Sequence, residues 1–316
     1  MYEEIFEIFK KYNIRYFFYI GGNDSMDTVS KISKYAKKCN YKIQVIGIPK
    51  TIDNDLIITD HTPGYGSASK YISTVIQEIA ADISAYLCQS VTIVEIMGRD
   101  SGWLTASCGL PKYFGNRGAD LIYLPEVNFK DEAFIDAVKN ALLIKPQILV
   151  CVSEGIRYQN GKYVGEKNQS GIKDVFGHNY LSGTAKVLEN LVKEKIGCKT
   201  RSIELNLPQR CASHLASETD VLESIELGKY AVKCAEENIS GKMVIYQRQN
   251  TKNYKIDLSY EDVDKIANKV KYVPKDFINQ EDNNVTTKCM EYIAPLIKGE
   301  RKLKYKNGLP VHFRIN

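Results

Sequence analysis

The sequence lacks most of the patterns that would assign it to a common class at once. It has no run of about 20 apolar residues that could span a bilayer, and its N-terminal segment MYEEIFEIFKKYN is charged and amphipathic, unlike a signal peptide. It has no GxxxxGK[ST] phosphate loop and no GxSxG nucleophile elbow. The four histidines form no HxxxH or HExxH pair. These absences argue against a membrane protein, an ordinary P-loop hydrolase, a serine hydrolase and a zinc enzyme.

The composition is that of a globular protein that handles small anions. The 316 residues suffice for two ordinary domains, and 43 basic residues stand against 38 acidic ones, a formal charge of +5. Because the basic residues are scattered, nucleic acid and membrane partners are not expected. The eight cysteines are widely spaced without a CxxC pair, which predicts reduced thiols and a cytoplasmic protein.

Strand-like and helix-like segments alternate along the chain up to about residue 240, which is typical of parallel sheets covered by helices. Apolar runs predict strands at residues 14–20, 41–47, 91–98, 119–125, 147–155 and 200–207. Helical patterns lie at about 26–38, 66–87, 102–109, 131–143, 181–196 and 219–238. Beyond residue 240, two short strands and a helix-like segment, residues 261–270, are expected.

Polar and glycine-containing segments follow four of the predicted strands. They read GGNDS after the first strand, IPKTIDND after the second, MGRDSGW after the third and SEG after the fifth. In open parallel sheets, ligands bind beyond the carboxyl ends of the strands. The sequence therefore places its candidate chemistry at these loops.

The loop PKTIDND combines a cation, a hydroxyl and two carboxylates. Lys50 can hold a phosphoryl group, Asp53 can accept a proton from a hydroxyl, and Asp55 can orient that base. An Asx-rich turn, in which these side chains only cap backbone amides, explains the same letters. The pattern is therefore compatible with phosphoryl transfer and does not by itself require it.

Single residues in the other loops are weaker signals. Gly98 permits close backbone approach, and the planar guanidinium of Arg99 suits a phosphate ester. Glu154 either accepts hydrogen bonds from sugar hydroxyls or caps the next element. Arg201 and Arg210 either bind a second phosphate or form surface ion pairs.

Taken in order, GGNDS, PKTIDND, MGR, SEG and the turn from Gln209 to Ser213 resemble the motifs of the phosphofructokinase family over residues 12 to 241. The resemblance implies phosphoryl transfer to the 1-hydroxyl of fructose 6-phosphate. It implies Asp53 as the base, with Lys50 and Asp24 also catalytic. It implies these contacts to the sugar phosphate: Thr51, Asp55, Met97, Gly98, Arg99, Glu154, Arg201 and Arg210.

Two positions bear on the phosphoryl donor. Relatives that use ATP generally have glycine where this chain has Asp24 and Lys50, whereas relatives that use pyrophosphate resemble this chain at both. Two like charges about 4 Å apart repel by several kcal/mol at an effective dielectric constant near 20, so Asp24 disfavours a third phosphate. The resemblance thus implies pyrophosphate with Mg²⁺. It also implies donor contacts from Gly22, Asn23 and Ser25, with Asn23 as the metal ligand where many relatives have aspartate.

The resemblance also predicts an α/β protein with two Rossmann-like three-layer domains and mainly parallel sheets. Relatives place a strand and a glycine-rich phosphate loop ahead of YEEIFEIFKKYN, so the first domain is expected to be N-terminally incomplete. The expected domains are residues 1–66 with about 211–260 for the donor, residues 67–210 for fructose 6-phosphate, and an extension at 261–316 that packs on both.

Two alternatives to pyrophosphate-dependent transfer remain at this stage. One is an ATP-dependent 6-phosphofructokinase. The other is an inactive fragment that binds sugar phosphate or associates with a subunit, which the missing phosphate loop would explain. A homodimer or homotetramer is what the family suggests.

Overall fold

The computed structural model of the chain describes residues 2–168 and 183–312. The chain divides into two compact units, each built from two stretches of sequence. Unit 1 combines Met1–Tyr65 with Asp220–Lys271, and unit 2 combines Gly66–Thr219 with Tyr272–Asn316. Of the predicted extension, residues 261–271 thus belong to unit 1 and residues 272–316 to unit 2.

The secondary structure alternates between strands and helices along both units. The strands are β1 (Tyr16–Gly21), β2 (Gln44–Pro49), β3 (Ser90–Ile96), β4 (Leu121–Tyr123), β5 (Gln147–Ser153), β6 (Lys199–Glu204), β7 (Lys242–Arg248), β8 (Ile256–Asp262), β9 (Tyr305–Lys306) and β10 (Leu309–Pro310). The α-helices are α1 (Tyr2–Lys11), α2 (Asn23–Lys38), α3 (Tyr65–Ile83), α4 (Trp103–Ala106), α5 (Leu110–Tyr113), α6 (Asp131–Ile144), α7 (Thr184–Lys195), α8 (Glu218–Glu236), α9 (Val263–Ile266) and α10 (Thr287–Ile293). Within the described ranges, no helix combines the length and apolarity that a membrane crossing requires.

Unit 1 contains a four-stranded sheet in the order β1-β2-β7-β8. The first three strands run parallel, and β8 is antiparallel to β7. Side chains alternate along the strands: Val45 joins the apolar cluster of α1 and α2, whereas its neighbour Ile46 joins that of α8. Helices therefore cover both faces. Strand β1 lies at an edge of the described sheet, with Tyr16 54% and Ile20 62% exposed.

Unit 2 contains a second four-stranded sheet, in the order β4-β5-β3-β6, and all of its strands are parallel. Every residue of β3, with the sequence SVTIVEI, is buried, as its content of Val and Ile predicts for a central parallel strand. Phe134 and Val138 of α6 and Leu188 of α7 pack with Ile93 and Val150 in one apolar cluster. The α/β class with mainly parallel sheets is thus confirmed.

Two predicted helices differ from those observed. The segment 102–109 is interrupted, because α4 passes into a 3-10 turn at Ser107–Gly109 and α5 then begins at Leu110 with Pro111 in its first turn. The helix expected at 261–270 is only α9, since Glu261 and Asp262 still pair with β7. For α7, positions 181 and 182 of the predicted helix lie outside the described residues.

Candidate active site

In unit 1, the two motif loops leave the same edge of the sheet. Strands β1 and β2 are parallel neighbours with Gly21 opposite Pro49, and the N–H of Lys50 donates to the carbonyl of Gly21 at 2.9 Å. A Cβ atom on Gly21 would lie 2.0 Å from Ser25 Oγ, so the turn into α2 requires glycine here. GGNDS and PKTIDND, which sequence analysis identified separately, therefore lie side by side.

The donor loop, residues 22–25, opens helix α2. Gly22 is its N-cap and has extended backbone angles, and Asp24 is exposed in the first turn, where the helix dipole favours an acid. Both the oxygen and the nitrogen of the Asn23 side-chain amide form hydrogen bonds. Its Oδ1 accepts from the N–H of Asn268 at 2.6 Å, and its Nδ2 donates to the carbonyl of Lys269 at 2.8 Å.

The base loop, residues 51–55, begins with a turn closed by Thr51. Its hydroxyl donates to Asp53 Oδ2 at 3.2 Å and accepts from the N–H of Asp53 at 3.1 Å. The carbonyl of Thr51 in turn accepts from the hydroxyl of Thr62 at 2.8 Å. Thr51 is buried and Asp53 is half-buried. The predicted capping turn is therefore present, and its two hydrogen bonds fix the orientation of the Asp53 carboxylate.

Asn54 and Lys271 hold the far end of the base loop. Asn54 is fully buried in the left-handed region with φ 53°, a conformation that asparagine tolerates well. Its Oδ1 accepts from Lys271 Nζ at 2.8 Å, and the backbone N–H of Lys271 donates to the carbonyl of Asp55 at 2.7 Å. Burial lowers the pKa of Lys271 to about 7, and the nearby carboxylates of Asp60 and Asp55 offset only part of this shift.

A buried ionic cluster lies directly behind this loop. His61 has Nδ1 2.9 Å from Asp60 Oδ2 and Nε2 2.8 Å from Glu223 Oε2. Arg248 also donates to Asp60, and Tyr254 donates to Glu223. Burial alone lowers the pKa of His61, but the hydrogen bonds to both carboxylates outweigh it and raise the pKa. His61, which is bonded to an acid at each ring nitrogen, therefore ties the chain after the base loop to helix α8.

In unit 2, the MGR and SEG loops interlock. The N–H of Glu154 donates to the carbonyl of Ile96 at 2.9 Å, and Glu154 Oε1 accepts from the N–H of Gly98 at 3.2 Å. A Cβ atom on Gly155 would lie 1.9 Å from the carbonyl oxygen of Arg99. Only glycine permits this approach, so Gly98, Arg99 and Glu154 are brought together as the order of strands β3 and β5 predicts.

The loop that follows β6 supplies a further support. Gln209 is buried, and its Oε1 accepts from the N–H of Met97 at 3.1 Å. The next residue, Arg210, is exposed. Arg99 has a buried Nε atom without a hydrogen-bond partner among the described residues, so its guanidinium keeps donor capacity for a ligand.

Arg201 is not brought to this loop cluster within unit 2. It pairs with Thr92 in the middle of β3, whereas the cluster begins after Ile96. Four strand residues correspond to about 13 Å. Its role as a sugar-phosphate contact therefore stays a prediction.

Three supporting residues were missed by sequence analysis, namely Asn54, Gln209 and Lys271. Asn54 lies between the candidate acids Asp53 and Asp55, and asparagine at such a position favours a left-handed turn, so its structural role could have been predicted from the sequence. Gln209 stands in the turn that contributed to the resemblance. Nothing local distinguishes Lys271 from the chain's other lysines, because its partners are more than 200 positions away.

Within residues 2–168 and 183–312, no group of three or more His, Cys, Asp or Glu side chains has the geometry of a metal site. His178, one of the four histidines, lies outside these ranges. Mg²⁺ usually binds to one or two carboxylates together with phosphate oxygens and water.

Comparison with known proteins identifies the family to which the chain is similar. Residues 1–235 match the Phosphofructokinase family. The pyrophosphate–fructose 6-phosphate 1-phosphotransferases of Methylococcus capsulatus and Halomonas elongata are 39% and 37% identical to this chain, over 98% of it and 73% and 74% of their own lengths. The crystal structure of a pyrophosphate-dependent phosphofructokinase from Nitrosospira multiformis superposes with a TM-score of 0.87 at 33% identity, covering 100% of this chain and 78% of that one.

The family match over residues 1–235 extends into both units, and it includes the segments that follow β1, β2, β3 and β5. The chain belongs to the phosphofructokinase family.

Proposed function

We propose that this chain transfers a phosphoryl group from pyrophosphate to the 1-hydroxyl of fructose 6-phosphate, giving fructose 1,6-bisphosphate. The observation that carries the proposal is the pairing of the donor and base loops at the Gly21–Lys50 hydrogen bond, with Lys50 where a pyrophosphate user is expected. Relatives named for this reaction support it. The reaction is reversible because both donor and product are phosphate compounds of similar energy.

Unit 1 contributes the groups that act on the transferring phosphoryl group. Asp53 accepts the proton of the sugar 1-hydroxyl while the hydroxyl oxygen forms a bond to the phosphorus atom of the transferring group. The bridging P–O bond of pyrophosphate breaks at the same time, and phosphate leaves. The hydrogen bond from Thr51 directs the Asp53 carboxylate. Lys50, which is exposed at the end of β2, balances the negative charge that is shared by the transferring and leaving groups.

Unit 2 contributes the groups that hold fructose 6-phosphate. Arg99 binds the 6-phosphate, consistent with the donor capacity of its buried Nε atom. Glu154, whose Oε1 is bonded to Gly98, accepts hydrogen bonds from sugar hydroxyls. Met97 and Gly98 shape the wall of the sugar pocket. Arg201 and Arg210 are proposed to bind phosphate, as the resemblance implies.

Asp24 is the proposed donor selector. Its exposed carboxylate in the donor loop repels a third phosphate, whereas Lys50 compensates for the charge of pyrophosphate. Gly22 and Ser25 complete the donor contacts through the start of α2.

Mg²⁺ is the proposed cofactor, and it supplies charge neutralisation to the phosphate oxygens when bound. Asp24 is the side chain of this loop that fits such an ion, because its carboxylate is exposed. Asn23, proposed from the resemblance as the metal ligand, fits less well. Its Oδ1 already accepts a hydrogen bond from Asn268, and its Nδ2 cannot bind a cation.

The test is a donor comparison with the purified full chain. Formation of fructose 1,6-bisphosphate is measured with pyrophosphate and with ATP at equal concentrations, with Mg²⁺ and fructose 6-phosphate held constant. We expect turnover with pyrophosphate at least about tenfold above that with ATP. Preference for ATP overturns the donor assignment. Binding of fructose 6-phosphate by calorimetry without turnover favours the alternative of an inactive binding module.

We further propose a homodimer or homotetramer, as the family suggests. Size-exclusion chromatography with light scattering measures the mass directly, and a monomeric mass at micromolar concentration contradicts the proposal.

A further inference from the structure

One short segment of unit 1, residues 268–271, is hydrogen-bonded to both the donor loop and the base loop. It follows helix α9, and Asn268 turns the chain with a left-handed φ of 62°. At its first end it pairs with the Asn23 side chain, and at its second end Lys271 contacts Asn54 and Asp55. The segment therefore spans the two loops whose separation decides where a phosphoryl group meets the base.

At the donor loop, the partners of Asn23 determine which residue can stand there. The N–H of Asn268 requires an acceptor, and the carbonyl of Lys269 requires a donor, so the amide has one orientation. Aspartate has the same shape but offers two acceptors and no donor. In its place, the Lys269 carbonyl would face a carboxylate oxygen. The neutral amide at position 23 is thus explained by its contact with the segment.

At the base loop, the side-chain nitrogen of Lys271 has three oxygen partners. Its Nζ lies 2.8 Å from Asn54 Oδ1, 2.8 Å from the Asp60 carbonyl and 3.2 Å from the Thr59 carbonyl. Three acceptors match the three protons of an ammonium group. Although part of the residue is exposed, its Nζ is fixed to both ends of the stretch from Asn54 to Asp60.

We propose that residues 268–271 are a positioning segment that sets the distance between the donor loop and the base loop, with Asn23 and Lys271 as its two attachment points. The inference rests on the proposed function for its kinetic consequences. Neither residue needs to touch a substrate for this role. Because a displacement of about 1 Å between reacting groups can cost about 100-fold in rate, loosening the segment lowers kcat more than it raises the KM for fructose 6-phosphate.

The first variant is Asn23→Asp, which keeps the side-chain shape and removes the donor to Lys269. We expect kcat to fall at least about tenfold, with the KM for fructose 6-phosphate changed less than about threefold and no gain in Mg²⁺ affinity. A kcat equal to that of the wild type overturns the proposal. A lower half-saturating Mg²⁺ concentration also overturns it and supports a metal-ligand role for position 23.

The second variant is Asn54→Gly, which permits the left-handed backbone and removes the acceptor for Lys271. A matched control is Asn238→Gly, since Asn238 is exposed and has a φ of 62°. We expect a loss of kcat of about tenfold for Asn54→Gly and none for Asn238→Gly, with both proteins folded by their circular dichroism. In the double variant Asn23→Asp with Asn54→Gly, the fold-loss of kcat should be smaller than the product of the two single fold-losses. A loss equal to that product means that the two contacts act independently, which overturns the proposal of one positioning segment.

Hydrogen exchange provides a readout that does not require activity. In Asn23→Asp, the amides of residues 51–55 should exchange faster although the substitution is in the other loop, and in Asn54→Gly the amides of residues 22–25 should do so. Unchanged exchange in the remote loop overturns the proposal even if the chain transfers phosphate. If the wild type shows no turnover, the same exchange result still tests the segment separately from the proposed reaction.

Discussion

Glu154 accepts a hydrogen bond from the backbone N–H of Gly98, at 3.2 Å, across 56 positions of the chain. The same carboxylate that holds the MGR loop is proposed to accept from a sugar hydroxyl. Glu154→Ala should raise the KM for fructose 6-phosphate at least about tenfold, and Glu154→Gln should raise it less because the amide keeps one acceptor. Steady-state kinetics of both variants measure this difference, and equal KM values for Glu154→Ala and wild type would contradict the role.

Asp53 is expected to control the chemical step rather than binding. Asp53→Asn keeps the hydrogen bond from Thr51 in place but cannot accept the substrate proton. We expect kcat to fall by about 10² to 10⁴, with a small change in the KM for either substrate. Isothermal calorimetry with fructose 6-phosphate serves as the control for binding. Near-normal turnover would exclude Asp53 as the base.

Donor preference should follow the charges at positions 24 and 50. Lys50→Ala removes a charge-assisted contact to pyrophosphate, so kcat/KM for pyrophosphate should fall about 10-fold to 100-fold, and that for ATP should fall less. Asp24→Gly combined with Lys50→Gly should move the ratio further towards ATP. Lys38→Ala, at an exposed lysine in the last turn of α2, is the matched control for general charge loss. An unchanged donor ratio in the double variant would contradict the selector role.

The buried His61 cluster should make the stability of the fold depend on pH. The pKa of His61 is raised in the folded chain above its ordinary value of 6.5, despite burial, by its bonds to Asp60 and Glu223. Its stabilisation is therefore fully present below pH 6.5 and is lost as the pH rises through the folded pKa. His61→Gln should lower the free energy of unfolding by about 3 kcal/mol at about pH 6, because two partly buried acids, Asp60 and Glu223, lose their shared partner.

Urea unfolding of wild type and His61→Gln at a series of pH values tests this sign. The difference between the two proteins should shrink towards alkaline pH. Titrating groups remote from this cluster are present in both proteins and cancel in that difference. A difference that stays constant or grows with pH would show that His61 is neutral in the folded state.

Two glycine substitutions should have opposite effects. Gly155→Ala places a methyl group 1.9 Å from the Arg99 carbonyl oxygen, which is backbone and cannot move aside cheaply. We expect a loss of about 1 to 3 kcal/mol in stability and weaker binding of fructose 6-phosphate. Gly228→Ala, in helix α8, meets nothing within 4 Å and should stabilise by about 0.5 to 1 kcal/mol. Thermal melts of both variants provide the comparison, and destabilisation by Gly228→Ala would contradict this packing.

The strands and their loops were predictable because their signals are local. A run such as SVTIVEI can be recognised as a buried parallel strand from seven letters, and parallel strands bring their carboxyl ends to one edge. That reasoning brings Arg99 and Glu154 together. It was less successful for 102–109, where one helix was predicted but α4 ends at Ala106 and a 3-10 turn follows at Ser107–Gly109.

The supports of the candidate site were not predictable in the same way. Lys271 and Asn54 are 217 positions apart, and His61 and Glu223 are 162 apart. Periodicity and turn residues report on neighbours in the chain, whereas these contacts depend on which remote side chain faces which loop. Asn23 shows the consequence: its identity suggested a weak metal ligand, and its backbone partners in the fold favour a positioning role.

The sheet of unit 1 is built from two separate stretches of chain, since β2 pairs with β7 while all the strands of the four-stranded sheet in unit 2 lie between them in sequence. Pairing over such a long loop is slow compared with local contacts. In pulse-labelled refolding, the amides of β3 and β5 should therefore be protected before those of β7. During synthesis, the base loop leaves the ribosome 217 residues before Lys271 does, so the contact between Asn54 and Lys271 can form only after both stretches of unit 1 have been translated.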